Sequence, residues 1–404
     1  MLRRISTTKL IFSIFATVAM IAAVTAVTAL AVYGGGVLPP ARPLAAAIHD
    51  ALAGGAVSGV SADITFTDDL IGTTSTGADT GTGTGGASNP LLTGASGRLW
   101  LSGDGQARLE LQSSHGDTEI LVSHDGLTLY DVATNTLYEA TLPAGAASGA
   151  TEATGSQIPT VATIETALEK LMGAADLSGA TPTNIGGAPA YTVTITPKHP
   201  AGLLGEAQVG WDAVHGIPLD VAIYATGGST AVIELKATSV SFGQVAPSVF
   251  AISAPANARL VRISPPAMPS AGSRRHGRII EATGFAGVSA ALPFSLDAPA
   301  TLASLPRRSV KLVSWNGRVA ALALYGEGLG SIAVIERQAG GAQHASGGVI
   351  GAVGSLPRVQ INGVSGSELA TALGTVVEFT RGGIDYAVVG FVAPAAAEAV
   401  ARGL

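Results

Sequence analysis

Seven histidines are the first residues to consider for chemistry: His49, His115, His124, His199, His215, His276 and His344. Zinc sites built on imidazole use pairs spaced HxH or HxxxH, and none of the seven is spaced that way. Most flank turns, so they read as solvated loop histidines. Asp68 and Asp69 are adjacent carboxylates beside a loop. The regularly spaced acidic ligands of a calcium loop do not follow them, which leaves a solvated turn. A serine nucleophile of the hydrolase type needs a strained GxSxG turn, and the chain has none. Cysteine is absent altogether, so thiol catalysis, cysteine-bound metals and disulfides are excluded. Residues 81–86 (GTGTGG) have the glycines of a phosphate loop but follow no strand, open no helix and contain no lysine. Gly326, Gly328 and Gly330 have the spacing of a dinucleotide-binding turn. The stretch after them, 331–336, is itself strand-like, so a hairpin turn explains them better. The sequence therefore predicts no catalytic residue, no metal site and no cofactor, and the chain is read as a binding protein rather than an enzyme.

Charge and hydropathy say where such a protein would work. The net charge is −6 over 404 residues, with only 12% charged, which gives no basic field for nucleic acid. Arg3, Arg4 and Lys9 precede an apolar run, 10–32, that no charge interrupts. About 20 such residues, at about 1.5 Å each in a helix, match a hydrocarbon core about 30 Å thick. The basic flank belongs in the cytoplasm, so the rest of the chain is expected outside it, on a single-pass membrane protein. Two processing readings compete. The run exceeds the about 7–15 residues of a signal-peptide core, as an uncleaved anchor would, yet Ala29-Leu30-Ala31 looks like a cleavage site.

The elements that follow are mostly strands. Residues 60–67 (VSADITFT) alternate apolar and polar, the period of a half-buried strand. The stretch 72–89 is rich in Gly, Thr, Ser and Ala and reads as a flexible loop. Short strands are expected at 98–102, 107–112, 118–123, 127–132 and 136–140, with Asp104-Gly105 and Asp125-Gly126 among the tight turns between them. Residues 144–156 form another small-residue loop. A helix is expected over 161–176, because Ile164, Leu168, Leu171 and Met172 form one stripe. Strands resume at 190–196, 207–212, 218–225 and 231–242. Prolines at 247, 255, 265 and 266 then break the pattern, and 254–278 reads as a linker. A smaller β-rich part follows, closed by a helix that starts at Pro394. Its strands are expected at 310–315, 319–325, 331–336, 359–361, 375–380 and 384–389.

The resulting organisation is mainly β (α+β). It comprises a membrane anchor or signal over 1–36, an antiparallel half-barrel wrapped on helices over 44–253, the linker over 254–278, and a small C-terminal β-rich domain over 279–404. Large apolar strand faces with few reactive groups suit either a plain core or a hydrophobic ligand cavity, with helix 161–176 as its lid. The candidate lining is Leu99, Leu101, Leu109, Leu111, Val193, Ile195, Ile223, Ile233 and Leu235.

The order of elements also resembles a known family. GVSADITFTDDLI (59–71) looks like the first strand of the LolA/LolB-type lipoprotein-carrier superfamily, whose relatives include RseB-like regulators. Residues 97–143, with Tyr130-Asp131 and Asn135-x-x-Tyr138, are similar to that family's central meander. Residues 240–261 (VSFGQVAPSVFAISAPANARLV) resemble its closing strand with a Pro…Phe…Pro ending. The resemblance implies an incomplete β-barrel around helices, with a cavity for acyl chains or a lipidated protein. The alternative it implies is an envelope-sensing module acting through a membrane regulatory protein of anti-sigma type.

Overall fold

The structure is a computed structural model. It describes residues 38–55, 57–71, 90–114, 116–123, 126–140, 158–198, 201–263, 282–315, 318–340 and 356–404. The apolar run 10–32, the loops 72–89 and 144–156, and His115, His124, His199, His276 and His344 lie outside these residues. Among the described residues, no helix is long and apolar enough to cross a membrane.

The first unit is a 13-stranded half-barrel sheet. Its path runs β13 (Arg259–Ile263), β6 (Thr136–Ala140), β5 (Gly126–Asp131), β4 (Gly116–Ser123), β3 (Ala107–Ser113), β2 (Ala95–Ser102) and β1 (Gly59–Asp68). It continues through β12 (Ala231–Phe242), β11 (Pro218–Ala225), β10 (Leu204–Asp212) and β9 (Ala188–Pro197) to β7 (Ala175–Leu177), while β8 (Thr181–Ile185) pairs β9 off the path. Neighbouring strands of the path pair antiparallel except β13 with β6, which are parallel. The end strands, β13 and β7, do not pair with each other, so the sheet stays open.

Among the described residues, three α-helices accompany this sheet: α1 (Leu44–Ala53), the single turn α2 (Pro90–Thr93) and α3 (Val161–Met172). The Thr160 side chain caps α3 by accepting from the Thr163 N–H. The helix stops at Met172, short of the expected 176, because Ala175–Leu177 pairs with β9 instead. Likewise Arg259–Ile263, read in sequence as linker, is strand β13.

The second unit is an 8-stranded sheet of β14 (Thr301–Leu302), β15 (Leu305–Trp315), β16 (Arg318–Tyr325), β17 (Ile332–Gln338), β21 (Ile384–Gly390), β20 (Thr375–Arg381), β19 (Val364–Ala370) and β18 (Arg358–Ile361), in that order. The glycines at 326, 328 and 330 form the β16–β17 hairpin turn, with Tyr325 opposite Ile332. Helix α4 (Phe285–Ala291) precedes the sheet and α5 (Pro394–Gly403) follows it. Ala397, Val400 and Ala401 of α5, at i, i+3 and i+4, are fully buried against the sheet's core.

The two units meet at one rim of the half-barrel. The Ala372 N–H donates to the Leu70 carbonyl at 2.9 Å, and the Leu203 N–H donates to the Phe391 carbonyl at 2.6 Å. At the second contact a Cβ on Gly202 would lie 2.3 Å from the Phe391 carbonyl oxygen, so only glycine allows the two chains to approach this closely.

Within the half-barrel, Gly97 faces Leu111 across the β2–β3 ladder, and a Cβ on it would lie 1.8 Å from the Glu110 carbonyl oxygen. Gly97→Ala is expected to force β2 and β3 apart and to cost about 1–3 kcal/mol, as overpacking does. Urea denaturation followed by far-UV circular dichroism reads this as a lower midpoint. An unchanged midpoint would show that the ladder tolerates a methyl group there.

Candidate functional site

Residues directly opposite in a paired ladder share a face of the sheet. One ladder runs Val193–Val209–Val221–Leu235–Phe66 across β9, β10, β11, β12 and β1. A second runs Ile195–Ala207–Ile223–Ile233–Asp68 over the same strands. On the other arm Ala62 faces Leu99, Leu99 faces Leu109, and Leu109 faces Ile120, while Val60 faces Leu101. Strand alternation places Leu111 beside Leu109 on this face. All nine candidate lining residues therefore lie on a single face.

Much of that face is packed by the chain itself. Leu109 and Leu111 are buried, and Leu99, Leu101, Ile233 and Leu235 pack half-buried against the same cluster as Val60, Ile64, Ile120 and Leu129. The turn α2 lays the buried Leu91 into this cluster. Val193 belongs to a neighbouring cluster with Tyr191 and Trp211, which α1 covers through Leu44, Ala47, Ile48 and Ala51. The Tyr191 hydroxyl donates to the Pro40 carbonyl at 2.7 Å and fixes the lead into α1. Ile195 and Ile223 lie towards the end of the face, both opposite Ala207. A pocket on this face, lined by Val60, Ile64, Leu99, Leu101, Leu219 and Leu235 among others, has a free volume of about 20 Å³. One water needs about 10–15 Å³, whereas a drug-sized ligand takes a pocket of about 300–1,000 Å³.

Helix α3 does not close this face as a lid. It packs on α1 and β7; Ile164 is its buried residue, while Leu171 and Met172 are each 41% exposed. His49 bonds the Pro159 carbonyl at 2.9 Å and ties the start of α3 to α1.

The opposite face carries charge. Asp63 pairs with Arg98 at 3.2 Å, Lys236 with Asp220 at 3.3 Å and with Glu234 at 3.5 Å, and Arg262 with Glu139 at 3.3 Å. Arg108 is the best buried cation of this set. It bonds Glu110 at 2.5 Å and Glu119 at 3.1 Å, and donates to the Val249 and Ala251 carbonyls at 2.6 and 3.1 Å. It thereby straps the segment after β12 across β3, on the route to β13. Burial pushes the Glu119 carboxyl above its usual range, Arg108 pulls it down, and the Glu110 and Asp117 carboxylates add to the rise.

Polar groups also reach the covered side. Asp68 ends the second ladder, is buried, and accepts the Leu70 N–H at 2.8 Å; burial pushes it up to about 6. His215, expected as a solvated loop histidine, is instead buried. Its Nδ1 lies 2.8 Å from Asp212 Oδ2, which also accepts the His215 and Val214 N–H groups, and its ring packs on Phe242 with centroids 4.4 Å apart. The pair clamps the β10–β11 turn beneath the end of α1. The signal was Asp-x-x-His-Gly at a turn, where a carboxylate can gather the following N–H groups. Among the described residues, no three His, Asp or Glu side chains converge as a metal site.

No protein-family model matches the chain, and no curated protein does. Solved structures similar to it include MucB in complex with MucA(peri), at 13% identity over 85% of this chain and 92% of that one, with a TM-score of 0.38. MucB alone is similar at 13% identity over 89% and 94%, with a TM-score of 0.32. An uncharacterized conserved protein from Thermus thermophilus is similar at 10% identity over 51% and 91%, with a TM-score of 0.31.

Replacing Arg108 with methionine keeps the aliphatic stem but leaves Glu110 and Glu119 facing each other half-buried. Arg108→Met is expected to cost roughly 3 kcal/mol at neutral pH. Adding Glu119→Gln should restore part of the loss. Thermal melts of the three proteins check this, and equal melting temperatures would show that the Arg108 network holds nothing.

Proposed function

We propose that the chain is an extracytoplasmic binding module, tethered by residues 10–32, that acts through a protein partner. The observation that supports this reading over an acyl-chain carrier is the packed apolar face, whose pocket between Val60, Leu99, Leu219 and Leu235 has a free volume of about 20 Å³. Each buried CH₂ of an acyl chain would contribute about 0.8 kcal/mol, but only in space the protein does not already occupy. Here Leu91, α1 and the strand side chains occupy it. A partner would therefore engage the outside of a packed core, through surfaces of the two units held together at the seam between 70, 202–203, 372 and 391. A regulatory membrane protein is the partner class that the resemblance to RseB-like regulators implies.

A second reading keeps the lipid. It draws on the nine apolar residues that share one face, and it requires α1 and α2 to lift before a chain can enter. In-cell crosslinking of the full chain, followed by pull-down and mass spectrometry, separates the two. The partner reading predicts a crosslinked membrane protein recovered in stoichiometric amount with no co-purifying lipid. Recovery of lipid alone would overturn it.

A further inference from the structure

Strand β17 places Ile332, Val334 and Glu336 on the core side of the second unit, and Glu336 is 0% exposed. An ionised carboxylate in such a place is costly unless it is fully paired. Its Oε2 accepts the backbone N–H of Asp297 at 2.9 Å, whereas its Oε1 is buried with no hydrogen-bond partner. Asp297 lies in the middle of a strap, 292–300, that has neither helix nor strand structure of its own. Leu296 and Ala298 of the strap are buried in the core. Polar contacts hold the rest: Arg381 bonds the Asp297 carboxylate at 3.1 Å, the Tyr325 hydroxyl donates to the Pro299 carbonyl at 3.1 Å, and Arg307 donates through its side chain to the Ala298 carbonyl.

We propose that Glu336 is a proton-operated latch on this strap, closed when the carboxyl carries a proton and loosened when it ionises. A neutral carboxyl suits the apolar side of β17 and still accepts the Asp297 N–H through its carbonyl oxygen. An ionised one puts a charge beside the Asp297 carboxylate. Arg381, the neighbouring cation, already bonds Asp297 and the Leu404 backbone oxygen. The groups around Glu336 are Asp297 on the strap, Tyr325 on β16, Arg381 on β20 and Tyr386 opposite it on β21, with Arg307 on β15 beyond Tyr325.

Burial is the main cause that pushes Glu336 up to about 7; the Asp297 N–H and Arg381 oppose the rise and the Asp297 carboxylate adds to it. Tyr325 is pushed up to about 12 and Tyr386 is also raised, so neither changes charge near neutrality. The folded value exceeds the ordinary 4.5, so the stabilisation is fully present below pH 4.5 and is lost as pH rises through about 7. The strap is therefore tight in mild acid and loose in mild alkali.

Hydrogen exchange of the full chain, read at 295–302 and corrected for the intrinsic rate, tests the latch between pH 5.5 and 8.5. A separation of one pKa unit corresponds to about tenfold in the opening equilibrium. Protection in the native protein is expected to fall at least tenfold over that range and to stay flat in Glu336→Gln, which keeps the acceptor without the charge. Flat protection in the native protein, or an equal fall in the variant, would overturn the proposal. Should the variant not fold, carbon NMR of the Glu336 carboxyl decides the matter: a titration midpoint near 7 supports the latch, and one near 4.5 overturns it.

Discussion

The constraint on which the half-barrel depends is that an open sheet must keep one whole face dry with material from its own chain. Closing into a barrel would do this by geometry, but β13 and β7 do not meet. Fully burying a Leu, Ile or Val side chain contributes about 1.5–3 kcal/mol, so the ladders from Val193 to Phe66 and from Leu99 to Ile120 dominate the energetics. The exposed ion pairs on the other face, such as Arg98 with Asp63, contribute about 0–1 kcal/mol each. Their weight lies in placement, as Arg108 shows. By holding the 249 and 251 carbonyls it turns the chain back across β3 towards its parallel pairing with β6.

Covering the face with α1 and α2 has a functional consequence. Helices that fill the space leave no room for a ligand, whereas helices that bridge it would leave a cavity. Side chains rather than backbone topology decide between these outcomes. Here Leu91, Ala47 and Ile48 pack into the clusters on that face, and the pocket between Val60, Leu99, Leu219 and Leu235 has room for about one water. The second unit is filled in the same way, and among its described residues the charged group that intrudes into the core is Glu336.

Much of this was legible in the sequence where neighbours in the chain are neighbours in space. The meander from β2 to β6 shows a period of two with turn residues between its strands, and hairpins need no distant information. The candidate residues alternate within their own hairpins for the same reason, but the β1–β12 pairing that brings the two arms onto one face is not local. Non-local pairing was harder to read. Residues 259–263 sit among prolines, and only β6, more than a hundred residues earlier, makes them a strand. Ala175 and Asp176 fell within the expected helix 161–176, but Ile195 and its neighbours in β9 draw them into the sheet. Burial of His215 depends on a partner three residues back and on Phe242, and burial of Glu336 on an alternation that would equally suit an edge strand. Whether the apolar face was empty or filled could not be read either, because α1 and α2 come from segments outside the meander.

Methyl NMR of the purified protein titrated with a medium-chain fatty acid tests the packed face most directly. The methyl groups of Leu99, Leu101 and Leu235 border the remaining gap. A packed face gives no saturable shift at these methyls up to the solubility limit of the fatty acid. Saturable shifts at all three, abolished by a bulky substitution in the gap, would contradict it and restore the carrier reading.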